Sequence, residues 1–340
     1  MKTHVNIPIF IPHLGCPHSC VFCNQRKISG HERADFSSVE REIENALATV
    51  KDGQTAQIAF FGGSFTGIDR GDMIYLLSVA KKYVDAGRVE SVRLSTRPDY
   101  IDEEILDVLE KYGVRSIELG LQSMNDNVLA ICERGHTAEC GERACRMIKS
   151  RGFELIGQMM TGLPVAGFDD DVMTAKKIAE LCDGARIYPT VVFRGTKLCD
   201  MAERGEYKMP TEDELIDRTV GALREFLKAG KPVIRLGLQA SDGVLDEKNV
   251  YSSTYLPAMG EICYSRLYRE LIEEKMPAGA RDVTVLVAPK NLSKAIGQRG
   301  ENRKYLKNKF GLRRLTVKGD GAISGFDLKI LTEENNSDET

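Results

Sequence analysis

Short β-rich runs alternate with amphipathic segments along this chain, and no other feature restricts its fold as much. The runs are VNIPIFI (Val5–Ile11), AQIAFFGG (Ala56–Gly63), SVRLST (Ser91–Thr96), SIELGLQ (Ser116–Gln122), ELIGQMMTG (Glu154–Gly162) and ARIYPTVVF (Ala185–Phe193). Between them lie SSVEREIENALATV, MIYLLSVAKKYVDAG, EEILDVLEKYG, NDNVLAICERG with ERACRMIKSRG, and DVMTAKKIAEL. In DEEILDVLEKYG, Ile105, Leu106, Val108 and Leu109 form one apolar face behind three acids, the charge expected near a helix N-terminus. Repeated βα units predict a parallel sheet with right-handed crossovers. The fold class is therefore α/β, a partial TIM-type (βα)6 barrel, with VIRLGLQA (Val233–Ala240) a candidate closing strand. Functional groups in such a barrel gather where strands end and βα loops begin.

After Ala240 the alternation breaks. We expect a partial barrel over residues 1–240, a loop and helical extension over 241–275, a basic module over 276–330 and an acidic disordered tail over 331–340. MPAGA (Met276–Ala280) reads as the linker. Met276 to Ile330 holds twelve Lys/Arg against four Asp/Glu, which hides inside a net charge of −3 for 340 residues. That asymmetry points to a polyanion partner for the basic end, or to a solvated basic face. No apolar run approaches the roughly 20 residues of a membrane helix, and the first residues lack a cationic leader and cleavage site. Nine cysteines, an odd number, do not suggest a disulfide framework. A cytoplasmic chain with some cysteines as metal ligands is expected.

LGCPHSCVFCNQR places Cys16, Cys20 and Cys23 at C-x3-C-x2-C spacing just after the first strand. Three thiolates can hold three irons of a [4Fe–4S] cluster and leave the fourth open. Zinc is the rival, with His13 or His18 near enough to be a fourth ligand. Unmetallated thiols are the plainest reading.

With this spacing, and with Phe22 before the last cysteine, the chain resembles the radical S-adenosylmethionine (radical SAM) superfamily. The resemblance covers roughly Asn6 to Glu274. It implies a [4Fe–4S] cluster whose open iron chelates S-adenosylmethionine (SAM), reductive cleavage to a 5′-deoxyadenosyl radical, and an electron donor such as flavodoxin or ferredoxin. AFFGGSFTG looks like the family's Gly-Gly-Glu loop, which makes Gly62, Gly63 and Ser64 cofactor-binding candidates; Ser64 stands where many members have an acid. STRPDYI and ELGLQSMNDNVLAICERGHT resemble the branch with the Elongator catalytic subunit and the oxygen-independent coproporphyrinogen oxidases. They add Arg97, Gln122 and Arg134, the last for the SAM carboxylate; Ser95 replaces that branch's third-strand acid. Each stretch has a plainer reading alone: a Gly-Gly turn, a surface pair of Arg97 with Asp99, a helix end at Arg134–His136, and core packing for Met159 and Met160. Cys263 is a candidate thiol at the barrel mouth.

LSKAIGQRGENRKYL places Gly297-Gln298-Arg299-Gly300 between two helices flanked by strands. This resembles the GxxG core of KH RNA-binding domains, a loop that clamps single-stranded backbone. Lys294, Gly297, Gln298, Arg299, Gly300, Arg303 and Lys304 are the RNA-binding candidates, with Lys307 adding charge; a KH-shaped docking module is the plainer reading. Two functions follow from the resemblances. One is a radical SAM enzyme acting on RNA, tRNA or rRNA. The other acts on a small molecule such as a porphyrin precursor, with a structural C-terminal module. A non-catalytic RNA-binding protein leaves the GGS and LGLQS loops unexplained.

Overall fold

The computed structural model describes residues 4–11, 20–23, 36–238, 248–251 and 258–332. Seven strands form one parallel sheet in chain order: β1 (His4–Ile11), β2 (Thr55–Gly62), β3 (Ser91–Thr96), β4 (Val114–Gln122), β5 (Glu154–Thr161), β6 (Gly184–Pro189) and β7 (Val233–Leu236). The order leaves β1 and β7 as edges, so the sheet is a curled half-barrel rather than a closed ring. The seventh strand pairs with β6 and extends the sheet without closing it. The sixth is shorter than the sequence suggests and ends at Pro189, which has no N–H to continue the ladder.

Helices follow the strands: α1 (Val39–Leu47), α2 (Arg70–Asp85), α3 (Glu103–Lys111), α4 (Asp126–Ile131) with α5 (Ala138–Ser150), α6 (Phe168–Leu181), and α7 (Lys197–Glu203) with α8 (Glu212–Lys228). Strand alternation divides the sheet into two faces. Ile58, Phe60, Val92, Leu94, Ile117, Leu119, Leu155 and Ile187 turn outward and are fully buried in the main core. The helix layer is tight there: a Cβ on Gly157 would lie 2.4 Å from Ile178 Cγ2 of α6. The opposite, concave face carries Gln57, Arg93, Glu118, Gln158 and Arg186, whose side chains bond to one another across the strands.

Past the barrel, α9 (Met259–Glu274) leads into β8 (Asp282–Val287), α10 (Leu292–Ile296), α11 (Glu301–Lys309), β9 (Arg314–Gly319) and β10 (Leu328–Thr332). These strands make a small sheet of order β10-β8-β9, with β8 parallel to β9 and antiparallel to β10. The expected tail begins later than residue 331, because Leu331 and Thr332 pair with Thr284 and Val283; residues 333–340 lie outside the described residues. Helix α9 serves both cores. Met259, Cys263 and Leu267, four residues apart, pack into the barrel core, while Tyr268 and Ile272 pack into the C-terminal one. Met276 and Ala280, expected in a linker, also pack against the C-terminal core.

Candidate functional site

The sequence-predicted cofactor residues converge at the C-terminal ends of the strands. Cys16 lies outside the described residues, as do His13 and His18. Cys20 and Cys23 share one turn, in which the Cys23 N–H donates to the Cys20 carbonyl at 2.9 Å. The turn is tied to the barrel on two sides: Val21 N donates to Cys132 O at 3.2 Å, and Leu198 N donates to Val21 O at 2.8 Å. Val21 is buried with Val128, Cys132, Leu163, Leu198 and Tyr207, and Phe22 packs against that cluster. Helix α7, which sequence reading missed, supplies Leu198. Its seven residues are too few for a helical period to register, although Thr196, whose hydroxyl caps it, was a visible start signal.

The glycine turn after β2 is conformationally demanding. Gly62 has φ +118°, and a Cβ there would stand 2.3 Å from Ile11 O and 2.9 Å from the Phe10 ring. The next residue, Gly63, donates to that same carbonyl at 3.1 Å. Ser64 is buried and precedes a single 3₁₀ turn, Phe65–Gly67. Below it, Thr96 and Thr66 hydroxyls meet at 2.6 Å and Thr66 donates to Tyr100 O at 2.9 Å, locking the β2 and β3 ends together. On β4 the register to β5 shifts between Gly120 and Gln122, where Gln122 adopts φ +64°. Bulges of this kind re-aim a side chain beside a functional site.

Arg134 and Arg97 complete the arrangement, and neither is on the surface. Arg134 is 6% exposed; Nη1 lies 3.2 Å from Cys20 Sγ and Nη2 donates to Gly120 O at 2.6 Å. Its Nε is buried without a partner. Arg97 does not form the surface pair its spacing allowed. It is 3% exposed, holds Asp99 through Nε at 2.9 Å and Nη2 at 3.0 Å, and donates to the Arg134 carbonyl. Its Nη1 is 4.0 Å from Cys20 Sγ. Two guanidiniums therefore stand beside the Cys20 sulfur. Gly120 keeps this corner clear, since a Cβ would meet Gln122 Nε2 at 3.0 Å and Arg134 Nη2 at 3.5 Å. Thiolate donors, a partnerless guanidinium N–H and a side-chain-free glycine turn together suit a thiolate-ligated cluster and an amino-acid-bearing cofactor.

Two neighbouring groups stay neutral. Burial pushes the Cys132 thiol up to about 12, with Cys20 adding to it. His136 is lowered to about 4, by burial first and then by the Arg134 charge; its Nε2 has no partner, while its Nδ1 lies 3.3 Å from Thr137 O. The cap of α5 is Thr137. Met159 is fully buried in the outer core, whereas Met160 reaches the cluster around Val21. Cys263 is not at the mouth. It is fully buried where α9 meets the barrel core, and that burial raises it to about 12.

The GxxG segment stands between α10 and α11. Gly297 has φ +79°, and a Cβ would meet Asn302 N at 2.9 Å. Arg299 (φ +51°) and Gly300 (φ +74°) are both left-handed just before α11 begins. Asn302 fixes the turn by donating to Ser265 O at 2.7 Å and to the Lys294 and Ala295 carbonyls at 3.3 Å. Gln298, Arg299, Arg303, Lys304 and Lys307 are exposed, and Lys294 lies over the Tyr264 ring at 4.3 Å. Among the described residues no helix is long and apolar enough to cross a membrane.

Residues 10–178 match the radical SAM superfamily and residues 182–276 the radical SAM C-terminal domain. The chain is 29% identical over 263 residues to an uncharacterized protein of Methanocaldococcus jannaschii, covering 74% of this chain and 79% of that one. It is 35% identical over 134 residues to a tRNA uridine(34) acetyltransferase of the same organism, covering 38% of this chain but only 25% of the relative. The solved Elp3 of Methanocaldococcus infernus superposes with a TM-score of 0.60 at 21% identity, over 81% of this chain and 64% of that structure. On the two consecutive domains and the half-barrel they share, the chain belongs to the radical SAM superfamily and is an enzyme of that class, with a [4Fe–4S] cluster and S-adenosylmethionine as its cofactors.

Proposed function

We propose that this enzyme acts on RNA, with tRNA the favoured class, and that the basic C-terminal module presents the RNA to the barrel mouth. Cys16, Cys20 and Cys23 would hold three irons of the cluster. Gly62, Gly63 and Ser64 would line the amino-acid end of SAM, Arg134 would pair with its carboxylate, and Phe22 and Gln122 would border the cofactor. Arg97 acts through its bond to the Arg134 carbonyl, as a positioning residue. Held by these residues, a cluster with SAM would supply one-electron reductive cleavage of the sulfonium and, from it, abstraction of a hydrogen atom from the substrate. A low-potential donor such as flavodoxin or ferredoxin would supply the electron.

The observation that carries the RNA reading is the dual membership of α9: the helix that completes the barrel core also builds the module bearing the GxxG turn. An exposed basic turn held against the barrel in this way suits delivery of a polyanion. The left-handed turn at Arg299 and Gly300 leads directly into a helix start, a place that favours phosphate, although the Gly300 N–H is itself spent on Gly297 O at 3.1 Å. The M. jannaschii relative, a tRNA uridine(34) acetyltransferase, agrees in substrate class. The test is 5′-deoxyadenosine formation by the anaerobically reconstituted, reduced protein with and without tRNA and rRNA. Marked stimulation by tRNA is expected; slow turnover that RNA leaves unchanged would move the substrate to a small molecule.

A further inference from the structure

A cleft of about 370 Å³ opens where β5 hands over to α6, against the first turns of α8, and the cofactor site does not use it. Phe168 supplies its aromatic surface, and Lys208, Glu214, Asp217 and Arg218 its charges. The Phe168 ring is 49% exposed and rests on α8 at Gly221, where a Cβ would stand 2.7 Å from its Cζ. A glycine inside a helix weakens that helix; here it makes room for a ring that nevertheless stays half in solvent. Three residues earlier Val165 is 59% exposed at φ +56°, a conformation that a β-branched residue rarely takes. Backbone strain of this kind collects beside ligand sites.

The charges around the ring are unequally spent. Glu214 Oε2 accepts from Thr211 N at 2.7 Å, and Asp217 accepts from Arg266 of α9. Arg218 gives Nε to Asp171 at 2.6 Å, but its Nη2 has no acceptor. Lys208 is exposed and enters no ion pair among the described residues. The cleft is thus not a patch of excess charge. It sets unspent cationic donors beside an open aromatic ring while its acids are occupied.

Its position connects two regions already described. The loop that ends in Phe168 begins at Gly162, whose N–H donates to Asp171 at 3.1 Å and whose carbonyl accepts from the Tyr207 hydroxyl at 2.6 Å. Leu163 of the same loop is buried with Val21 and Cys132, which hold the cysteine turn. On the other side, Asp217 is bound by Arg266, and the neighbouring Ser265 accepts from Asn302, the residue that fixes the GxxG turn. A strand leaving that turn for the cysteine turn would meet this cleft on its way.

We propose that the cleft binds one nucleotide of a single-stranded RNA segment, with its base stacked on Phe168 and its phosphate held by Arg218 and Lys208. Every base has a face that stacks on an aromatic ring, and a guanidinium fork matches phosphate oxygens. The proposal rests on the RNA reading, and it names a grip on the strand between the basic module and the barrel.

The chain contains no tryptophan, so Phe168→Trp installs a single emitter in the full-length, cluster-reconstituted protein, and a stacked base quenches it. Saturable quenching is expected with a uridine hexanucleotide and with tRNA, and none with heparin, a polyanion without bases. Lys208→Gln in this background should weaken the hexanucleotide several-fold. In the otherwise native chain, Phe168→Ala should weaken a fluorescein-labelled hexanucleotide about tenfold and Phe168→Tyr should not. Phe168→Leu keeps an apolar contact with α8 but offers no ring, and should lose as much as Phe168→Ala; urea midpoints show that each variant is folded. Labelled RNA that binds while the emission stays constant, equal quenching by heparin, or native affinity in Phe168→Leu would overturn the proposal and leave the RNA reading standing. Quenching by uridine monophosphate with the hexanucleotide and tRNA inert would overturn the strand assignment in favour of a free nucleotide. Quenching by the hexanucleotide with no stimulation of 5′-deoxyadenosine formation by tRNA would keep the cleft and remove RNA as the substrate.

Discussion

Replacing Glu118 with glutamine removes one charge from the barrel floor while keeping its shape. In the native chain the carboxylate accepts two guanidinium bonds, at 2.7 and 3.1 Å, while 1% exposed. Bonds to charged groups contribute about 1.5–3 kcal/mol and neutral ones about 0.5–1.5, so neutralisation costs roughly 1 kcal/mol for each of the two. Arg93 keeps Glu154, but Arg186, with its side chain 12% exposed, loses its anionic partner. Stranding a buried charge costs about 3–5 kcal/mol when no partner remains, and the glutamine oxygen still accepts, which brings the expected loss to about 2–4 kcal/mol. Urea denaturation should show a lower midpoint at unchanged slope. The double variant Glu118→Gln/Arg186→Met should fall short of additivity by about 1–3 kcal/mol, because the second change removes the charge that the first one stranded. A loss below about 0.5 kcal/mol, or strict additivity, would show that the floor is solvated and would refute the reasoning.

Acid should weaken the fold through His136. Its folded pKa of about 4 lies below the unfolded value near 6.5, so the unfolded chain binds the proton first, and stability present above pH 6.5 drains as pH falls toward 4. The loss between pH 7 and pH 5 is about 2 kcal/mol by linkage, and comparing urea midpoints of native and His136→Gln proteins should show that part of the slope disappear. Gly62→Ala forces a Cβ to 2.3 Å from Ile11 O at φ +118°. We expect about 1–3 kcal/mol of backbone strain and at least tenfold weaker SAM binding by equilibrium dialysis, and unaltered binding would contradict the turn's assigned role. Changing Arg299, Arg303 and Lys304 to glutamine should weaken fluorescent tRNA binding and lower the log–log salt slope by about 2, from roughly 0.7 per phosphate contact. An unchanged slope would take these side chains off the RNA.

Much of the barrel was legible because its strands obey a local rule. In SVRLST, SIELGLQ and ARIYPT an apolar residue alternates with a polar one, and the apolar set is the one buried against helices. The Cys spacing and the Gly-Gly turn were legible for the same reason, since each is a property of adjacent residues. What the polar half of the alternation does was not legible: Arg93 and Arg186 meet Glu118 from 25 and 68 residues away, distances set by the curl of the sheet. Arg97 shows the same limit. Its bond to Asp99 is local and could be anticipated, but its burial and its hold on the Arg134 carbonyl come from the way α4 returns to β3. Cys263 was misplaced because an amphipathic helix with two adjoining apolar stripes reads, in one dimension, like a helix with one.

Those two stripes on α9 have a thermodynamic consequence. The barrel core holds Cys263 and Leu267, the C-terminal core holds Tyr268 and Ile272, and no spacer separates them. Melting either core strips one side of a helix whose other side then loses its backing, so heat or denaturant should register one transition where a linker at 276–280 would have allowed two. Cutting the chain after the helix would bare Tyr268, the largest of its fully buried side chains, to water. The C-terminal module is thus less an appendage than the second half of a wall that the barrel leans on.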